Sequence, residues 1–360
     1  MRIDRREERQ SGVRAWLGDH DLDALLITHL PNIRYLTGFT GSAGLLVVRP
    51  TESVLITDFR YAVQAPREVG NAAAVLIEQS SVWQRLRRHV EGYQTLGFES
   101  AALTVREAQR LGEGTSTRLV PTHDVVEPLR AAKDAGEVAA IREAAGLALE
   151  ALGAVLPSVT VGSGEREIAG RLESELRQRG SEWHPFPTIV ASGPRSALPH
   201  AGTSDRTVAR GDLLLLDFGA QVEGYCADLT RTFVVGAEAD DQQHAVYDLV
   251  RSAQTRAVEG LSAGKTGREV DALARELIAA RGFGDAFGHS LGHGLGLEVH
   301  EGPRLGPRED GTLPIGAVVT VEPGVYLPGW GGVRIEDDIH VGSGGAERLS
   351  GEPSELMTLG

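Results

Sequence analysis

Two acidic residues, Asp217 and Asp228, flank a turn in LLLLDFGAQVEGYCADLTRTF, and two more, Glu322 and Glu336, do so in VVTVEPGVYLPGWGGVRIEDDI. The first stretch reads as a β-hairpin turning near Gln221 to Gly224. A turn centred on Val222 and Glu223 sets Asp217 directly opposite Asp228, whereas one centred on Glu223 and Gly224 makes them diagonal neighbours. Either register lets the carboxyl groups converge, since facing Cβ atoms lie ~4.5–5.5 Å apart and diagonal ones ~7–8 Å. Two such anions between LLLL and TFVV are costly without a cation, although a lone pair of this kind is more often strand decoration turned to solvent. The second stretch strengthens the case: Glu322 ends an apolar run and is followed by Pro323, and Glu336 follows Val333, Arg334 and Ile335.

Between them, GHSLGHGLGLEVHEGPR (288–304) carries His289, His293 and His300. His289 and His293 have the spacing of a zinc-binding helix, but Gly288, Gly292, Gly294 and Gly296 argue against any helix there. That disfavours an HExxH-type zinc protease. A glycine-rich strand or loop instead brings backbone close to a site and leaves His293 as a candidate nitrogen ligand. Four negative charges neutralise two divalent cations, and an oxygen-rich set favours manganese, cobalt, iron or zinc at a hydrolytic pair. Two ions ~3.5–4 Å apart lower the pKa of a shared water and polarise a carbonyl.

Competing chemistry fails on spacing. GLSAGKT (260–266) ends like a phosphate loop, but Glu259 stands where its first glycine belongs. GHGLG lacks the GxGxxG pattern, and GFTGSAG offers no serine in a nucleophile elbow. The single cysteine, Cys226, cannot close an internal disulfide and reads as packing.

The elements that must position these residues follow from periodicity. Apolar runs at 24–28, 44–48 and 53–57 alternate with helical stretches such as 81–93, which predicts a small α/β domain over residues 1–125. The texture changes near Pro128, and residues 126–360 form a second domain. Helices are expected within 130–156 and over 165–179, 241–259 and 268–281, the last opened by Thr266 and Glu269 in capping-box spacing. Strands are expected in TVARGDLLLLDFG, YCADLTRTFVVG, GAVVTVEPG and GGVRIEDDIHVG, giving an α+β class. The acid-bearing hairpin occurs twice: Gly211 and Gly316 precede Asp217 and Glu322 by six residues, and Gly219 and Gly324 follow by two. Two related halves around one centre are the expectation, with chance the competitor.

Together with PHAGTSDR (199–206), YLTGFTGSAG (35–44) and ITDFRY (56–61), these motifs resemble the pita-bread-fold metallopeptidases. The resemblance is to the branch of Xaa-Pro aminopeptidase (aminopeptidase P) and Xaa-Pro dipeptidase (prolidase), and it covers nearly the whole chain. It implies a creatinase-like amino-terminal domain and a pita-bread catalytic domain. By the same resemblance Asp217, Asp228, His293, Glu322 and Glu336 hold two divalent metal ions, with Asp228 and Glu336 bridging and manganese ahead of cobalt or zinc. His200, His300 and Glu322 become the catalytic residues. Phe186, His200, His289, His300, Arg304 and Arg334 line the substrate site, with Phe186 packing against proline. The implied substrates are short peptides with proline at the second position.

Arg304 sits where prolidases place an arginine for a dipeptide's carboxylate, yet nothing in the sequence closes the leaving-group side, so the reading leans slightly to an aminopeptidase over a dipeptidase. A non-catalytic pita-bread peptide-binding protein is a more remote alternative; creatine hydrolysis and methionine aminopeptidase fit less well. Across 360 residues, 50 acidic against 36 basic side chains give a net charge of −14, which disfavours nucleic acid or an anionic membrane as partner. No apolar run approaches the ~18 residues of a membrane span. A cytoplasmic protein is expected, and the resemblance points to a homodimer or larger homo-oligomer in which the amino-terminal domain screens the site.

Overall fold

The computed structural model describes residues 4–351 and 355–360. The chain divides into two compact units, Met1–Arg130 and Ala131–Gly360. The division falls slightly beyond the expected boundary because the segment after Pro128 is tied back to the first unit: the Tyr35 hydroxyl donates to Leu129 O at 2.9 Å, and Arg130 donates to Asn32 Oδ1 at 2.7 Å. The first unit is a mixed six-stranded sheet in the order Ala74–Glu78, Ser53–Asp58, Leu45–Val48, Ala24–Ile27, Thr95–Glu99, Arg118–Thr122. Its apolar runs are the central strands, buried along their whole length, which is why they read as continuous rather than alternating.

The second unit repeats one arrangement. Helices Ala135–Val155 and Glu165–Gln178 share a core with the sheet ordered Thr358–Leu359, Leu229–Val235, Leu213–Phe218, Ile189–Ser192. Helices Asp241–Gly260 and Gly267–Ala280 share another with the sheet ordered Glu301–Leu305, Gly292–Gly294, Val318–Val321, Asp337–Gly342, Gly345–Arg348. Gly211 and Gly316 both take a positive φ, of +80° and +91°, at the turn before the acid-bearing strand, so the recurring glycine has a backbone cause. Helix starts follow their caps. Asp134 accepts from Gly136 N and Glu137 N, which starts the long helix at Ala135 rather than within the preceding charged run, and Thr266 with Glu269 forms the expected capping box.

Two expected strands are each broken in the middle. The 225–236 stretch splits into Tyr225–Cys226 and Leu229–Val235, and the 331–342 stretch into Gly331–Arg334 and Asp337–Gly342. Asp228 and Glu336 occupy the breaks. Leaving the ladder there re-aims each side chain, as bulges beside active sites do.

Candidate active site

The first hairpin turns through Glu223 and Gly224, both with positive φ (+50° and +80°), the signature of a type I′ turn. That turn fixes the register: Asp217 pairs with Thr230 and Phe218 with Leu229, so Asp217 and Asp228 are the diagonal neighbours of the second alternative above. In the second hairpin Val321 pairs with Asp337 and Gly324 with Arg334, which brings Glu322 and Glu336 face to face where the ladder is interrupted. His293 is the middle residue of Gly292–Gly294. A Cβ on Gly292 would lie 2.0 Å from Thr320 O and one on Gly294 2.2 Å from Gly302 O, so the glycines serve close packing of strands, and the helical spacing of His289 and His293 has no structural expression.

These residues converge on one cavity of about 740 Å³. Its wall holds Asp217, Asp228, His293, Glu322 and Glu336 together with Phe186, His200, His289, His300, Arg304 and Arg334, every residue singled out from sequence. Ligand atoms of Asp228, His293 and Glu336 lie within 4.8 Å of one another. His293 Nε2 is 3.7 Å from Asp228 Oδ2 and 3.5 Å from Glu322 Oε1.

The electrostatics are strained without a cation. Burial raises Asp217, although Arg334 pulls against it, and pushes Glu322 up to about 8. Burial and the neighbouring charges of Glu336, Asp217 and Glu322 raise Asp228 well above the carboxylate range, and burial with Glu322 and Asp217 does the same to Glu336. Burial lowers His293 to about 4, so the ring is neutral. Its Nδ1–H donates to Gly294 O at 3.0 Å, which leaves the Nε2 lone pair turned toward two carboxylates. Lone pair against carboxylate is repulsive unless a proton or a cation lies between, and 3.5 and 3.7 Å are too long for a shared proton. Asp217 Oδ1 and Asp228 Oδ1 are also buried without a hydrogen-bond partner among the described residues. The donor set therefore fits divalent metal ions.

Three hydroxyls that sequence reading passed over hold this cluster. Thr230 Oγ1 donates to Glu336 Oε2 at 2.6 Å; Thr320 Oγ1 donates to Glu322 Oε1 at 3.2 Å and accepts from His293 N at 3.0 Å. The signal was available, because each threonine stands two residues from an acid along the chain, the period that keeps strand residues on one face. The third is Tyr326. Arg334 donates to Asp217 Oδ2 at 2.6 Å and to the Tyr326 hydroxyl at 2.8 Å, and that hydroxyl donates onward to His289 Nε2 at 2.9 Å. Burial lowers His289 to about 4, and its Nδ1–H is engaged by Ser290 O, which fits the acceptor role of Nε2. Cys226 is buried, and burial pushes its thiol up to about 12, so it packs and does not react.

The lining of the cavity is partly apolar and partly charged. Phe186, Pro187, Ile189 and Pro199 supply the apolar part, and a Cβ on Gly219 would lie 2.2 Å from Ala227 O and 2.9 Å from the Phe186 ring, so this glycine serves close backbone packing beside the aromatic side chain. His300 packs against His293 with ring centroids 4.3 Å apart. Arg304 stands opposite His293 on the neighbouring strand, exposed, and its guanidinium makes no hydrogen bond or ion pair among the described residues.

Residues 139–343 match the model of metallopeptidase family M24, and residues 9–132 match that of the creatinase/prolidase N-terminal domain. The chain belongs to metallopeptidase family M24. Family membership accounts for the donor set, since M24 metallopeptidases use divalent metal ions, and for the α+β architecture of the two units. The chain is 44% identical to the uncharacterized peptidase YqhT of Bacillus subtilis, covering 96% of this chain and 99% of that one. Among solved M24 structures it is similar to an Xaa-Pro dipeptidase from Bacillus anthracis, at 40% identity and a TM-score of 0.95 over 98% of this chain and 100% of that one. It is also similar to an X-Pro aminopeptidase from Thermotoga maritima, at 37% identity and a TM-score of 0.90 over 97% and 99%.

Proposed function

We propose that this chain is an Xaa-Pro dipeptidase that uses two divalent metal ions, manganese foremost. The observation that carries the dipeptide reading is Arg304, an exposed guanidinium in the wall of the cavity that holds the acid cluster, without a side-chain partner among the described residues. An arginine there gives a terminal proline carboxylate a bidentate partner, which a longer peptide would not present at that distance. The dipeptidase from Bacillus anthracis, more similar than the aminopeptidase from Thermotoga maritima, supports the same choice. The lean toward an aminopeptidase drawn from sequence alone gives way to this reading.

Asp217, Asp228, His293, Glu322 and Glu336 would hold the metals, which when bound supply a water of lowered pKa and polarise the scissile carbonyl. Asp217, fixed by Arg334, faces the substrate's free amino group. His200 and His300 donate to the carbonyl oxygen as it gains negative charge, the interaction that strengthens most in the transition state. Glu322 takes the proton from the attacking water and returns it to the prolyl nitrogen, which as a tertiary amide carries none of its own. Phe186 and the prolines beside it pack against the pyrrolidine ring.

The test is a paired assay of Ala-Pro and Ala-Pro-Ala with manganese, cobalt or zinc. Preference for the dipeptide upholds the reading, equal or better tripeptide hydrolysis restores the aminopeptidase, and no hydrolysis with any metal favours a binding protein. A homodimer or larger homo-oligomer in a reducing cytoplasm completes the proposal; among the described residues the cavity is lined by the second unit alone, which leaves the first free for assembly, and a monomer by light scattering would reject the oligomer.

A further inference from the structure

His200 lies in a stretch with no helix or strand of its own, between the 3₁₀ turn Gly193–Ala197 and Ser204. Its ring makes no hydrogen bond among the described residues. The place of the imidazole is therefore set by how the backbone around it is tied down.

Those ties gather on Glu165, the first residue of its helix, fully buried and outside the cavity wall. Glu165 Oε1 accepts from Ser192 N at 2.9 Å and from Ser192 Oγ at 2.8 Å. Its Oε2 accepts from Ser204 N at 3.0 Å and Ser204 Oγ at 2.7 Å. Arg195 Nε spans both oxygens at 3.2 and 3.1 Å, and the same guanidinium donates onward to Gly202 O. Ser192 and Ser204 are the two ends of the segment, so a single carboxylate closes the neck of a compact loop. Two further ties hold its body: Gly332 N donates to Ser196 Oγ at 2.8 Å, and Arg334 donates to Pro199 O at 3.2 Å. Burial pushes the Glu165 carboxyl up, yet Ser204, Ser192 and Arg195 outweigh it and keep the group anionic.

We infer that Glu165 is a positioning residue for His200: by closing the 192–204 loop it fixes where the imidazole meets the substrate carbonyl. The inference rests on the role given to His200 above. A donor must stand ~2.7–3.1 Å from the forming oxyanion, and a displacement of about 1 Å costs up to ~10²-fold in rate. A neutral amide at 165 would turn N–H groups toward donors and so release one end of the loop.

The experiment is a double-mutant cycle of Glu165→Gln and His200→Ala, with kcat and KM for Ala-Pro, bound manganese and Tm measured for all four proteins. Glu165→Gln is expected to lower kcat about tenfold or more in the parent, to change it less than about twofold in His200→Ala, and to leave manganese content unchanged. An equal loss in both backgrounds overturns the inference, because the glutamate then acts on the whole unit rather than through His200. If His200→Ala alone keeps near-parent kcat, the failure lies in the role of His200, and the inference falls with it. Should Glu165→Gln not fold, Ser204→Ala loosens one end of the loop by removing the hydroxyl bond, while the backbone bond from residue 204 and the carboxylate stay in place. The same non-additivity at smaller amplitude supports the inference, and additivity overturns it.

Discussion

Thr230 and Glu336 meet twice: Glu336 N donates to Thr230 O at 3.2 Å, and the Thr230 hydroxyl donates to Glu336 Oε2 at 2.6 Å. This isolated antiparallel bridge joins the first acid-bearing hairpin to the second, at the point where the second leaves its ladder. Thr230 also accepts from Arg334 Nε at 3.0 Å, so one hydroxyl orients a candidate ligand and the arginine that holds Asp217. Thr230→Val keeps the β-branched shape and removes both bonds. It should weaken manganese binding by about 10- to 100-fold, as loss of an outer partner of a metal ligand does. Titration calorimetry on metal-free protein measures this directly; unchanged affinity removes Thr230 from the site.

Glu322→Gln tests proton transfer. The amide retains a coordinating oxygen but cannot accept a proton, so kcat should fall by about 10²- to 10⁴-fold with KM changed far less. Manganese content must be read alongside, because Glu322 is also a candidate ligand. Near-normal turnover would sink its assignment as the proton carrier.

Arg304→Met separates substrate ends. The methionine preserves a long stem without the guanidinium, and KM for Ala-Pro should rise about 10-fold or more, the scale of a charge-assisted hydrogen bond to a carboxylate. A peptide amidated at proline should show little change. Equal effects on the free acid and the amide would mean that Arg304 does not read the carboxylate.

In the first unit, Glu99 gives a pH prediction. It is buried, accepts from Thr28 N and His29 N at 2.7 and 2.8 Å and from Asn32 at 2.6 Å, and burial still raises its carboxyl above the ordinary range. A folded pKa above the unfolded one means that the native state holds its proton more tightly. Its contribution is therefore fully present below the unfolded value of about 4.5 and is lost as pH rises through the folded value. Relative to the parent, Glu99→Gln should become progressively more stable from pH 4.5 upward, as urea unfolding across that range would show. A stability difference independent of pH contradicts the sign.

Much of the centre was legible in the sequence because its acids end apolar strands. Little else puts four carboxylates at the ends of runs such as LLLL and VVTV, and the register of the first hairpin needed only the choice of turn that Glu223 and Gly224 make by their positive φ. The breaks at Asp228 and Glu336 were not legible. They arise when two hairpins far apart in sequence meet, as at Thr230 and Glu336, and such tertiary contacts leave no periodic trace. Glu165 escaped for the same reason, acting through Ser192 and Ser204 far along the chain, whereas Tyr326 meets Arg334 within its own hairpin and only its second partner, His289, is distant.

The duplicated hairpins also set the order in which the centre can come into being. More than a hundred residues separate Asp217 from Glu322 and Asp228 from Glu336. At ribosomal rates of ~5–20 residues per second, the second pair of carboxylates follows the first by roughly 5–20 s. Through that interval the growing chain presents two acids and no complete cradle. The candidate metal set is therefore completed in one late event, and a chain truncated between the hairpins carries only half of its carboxylates.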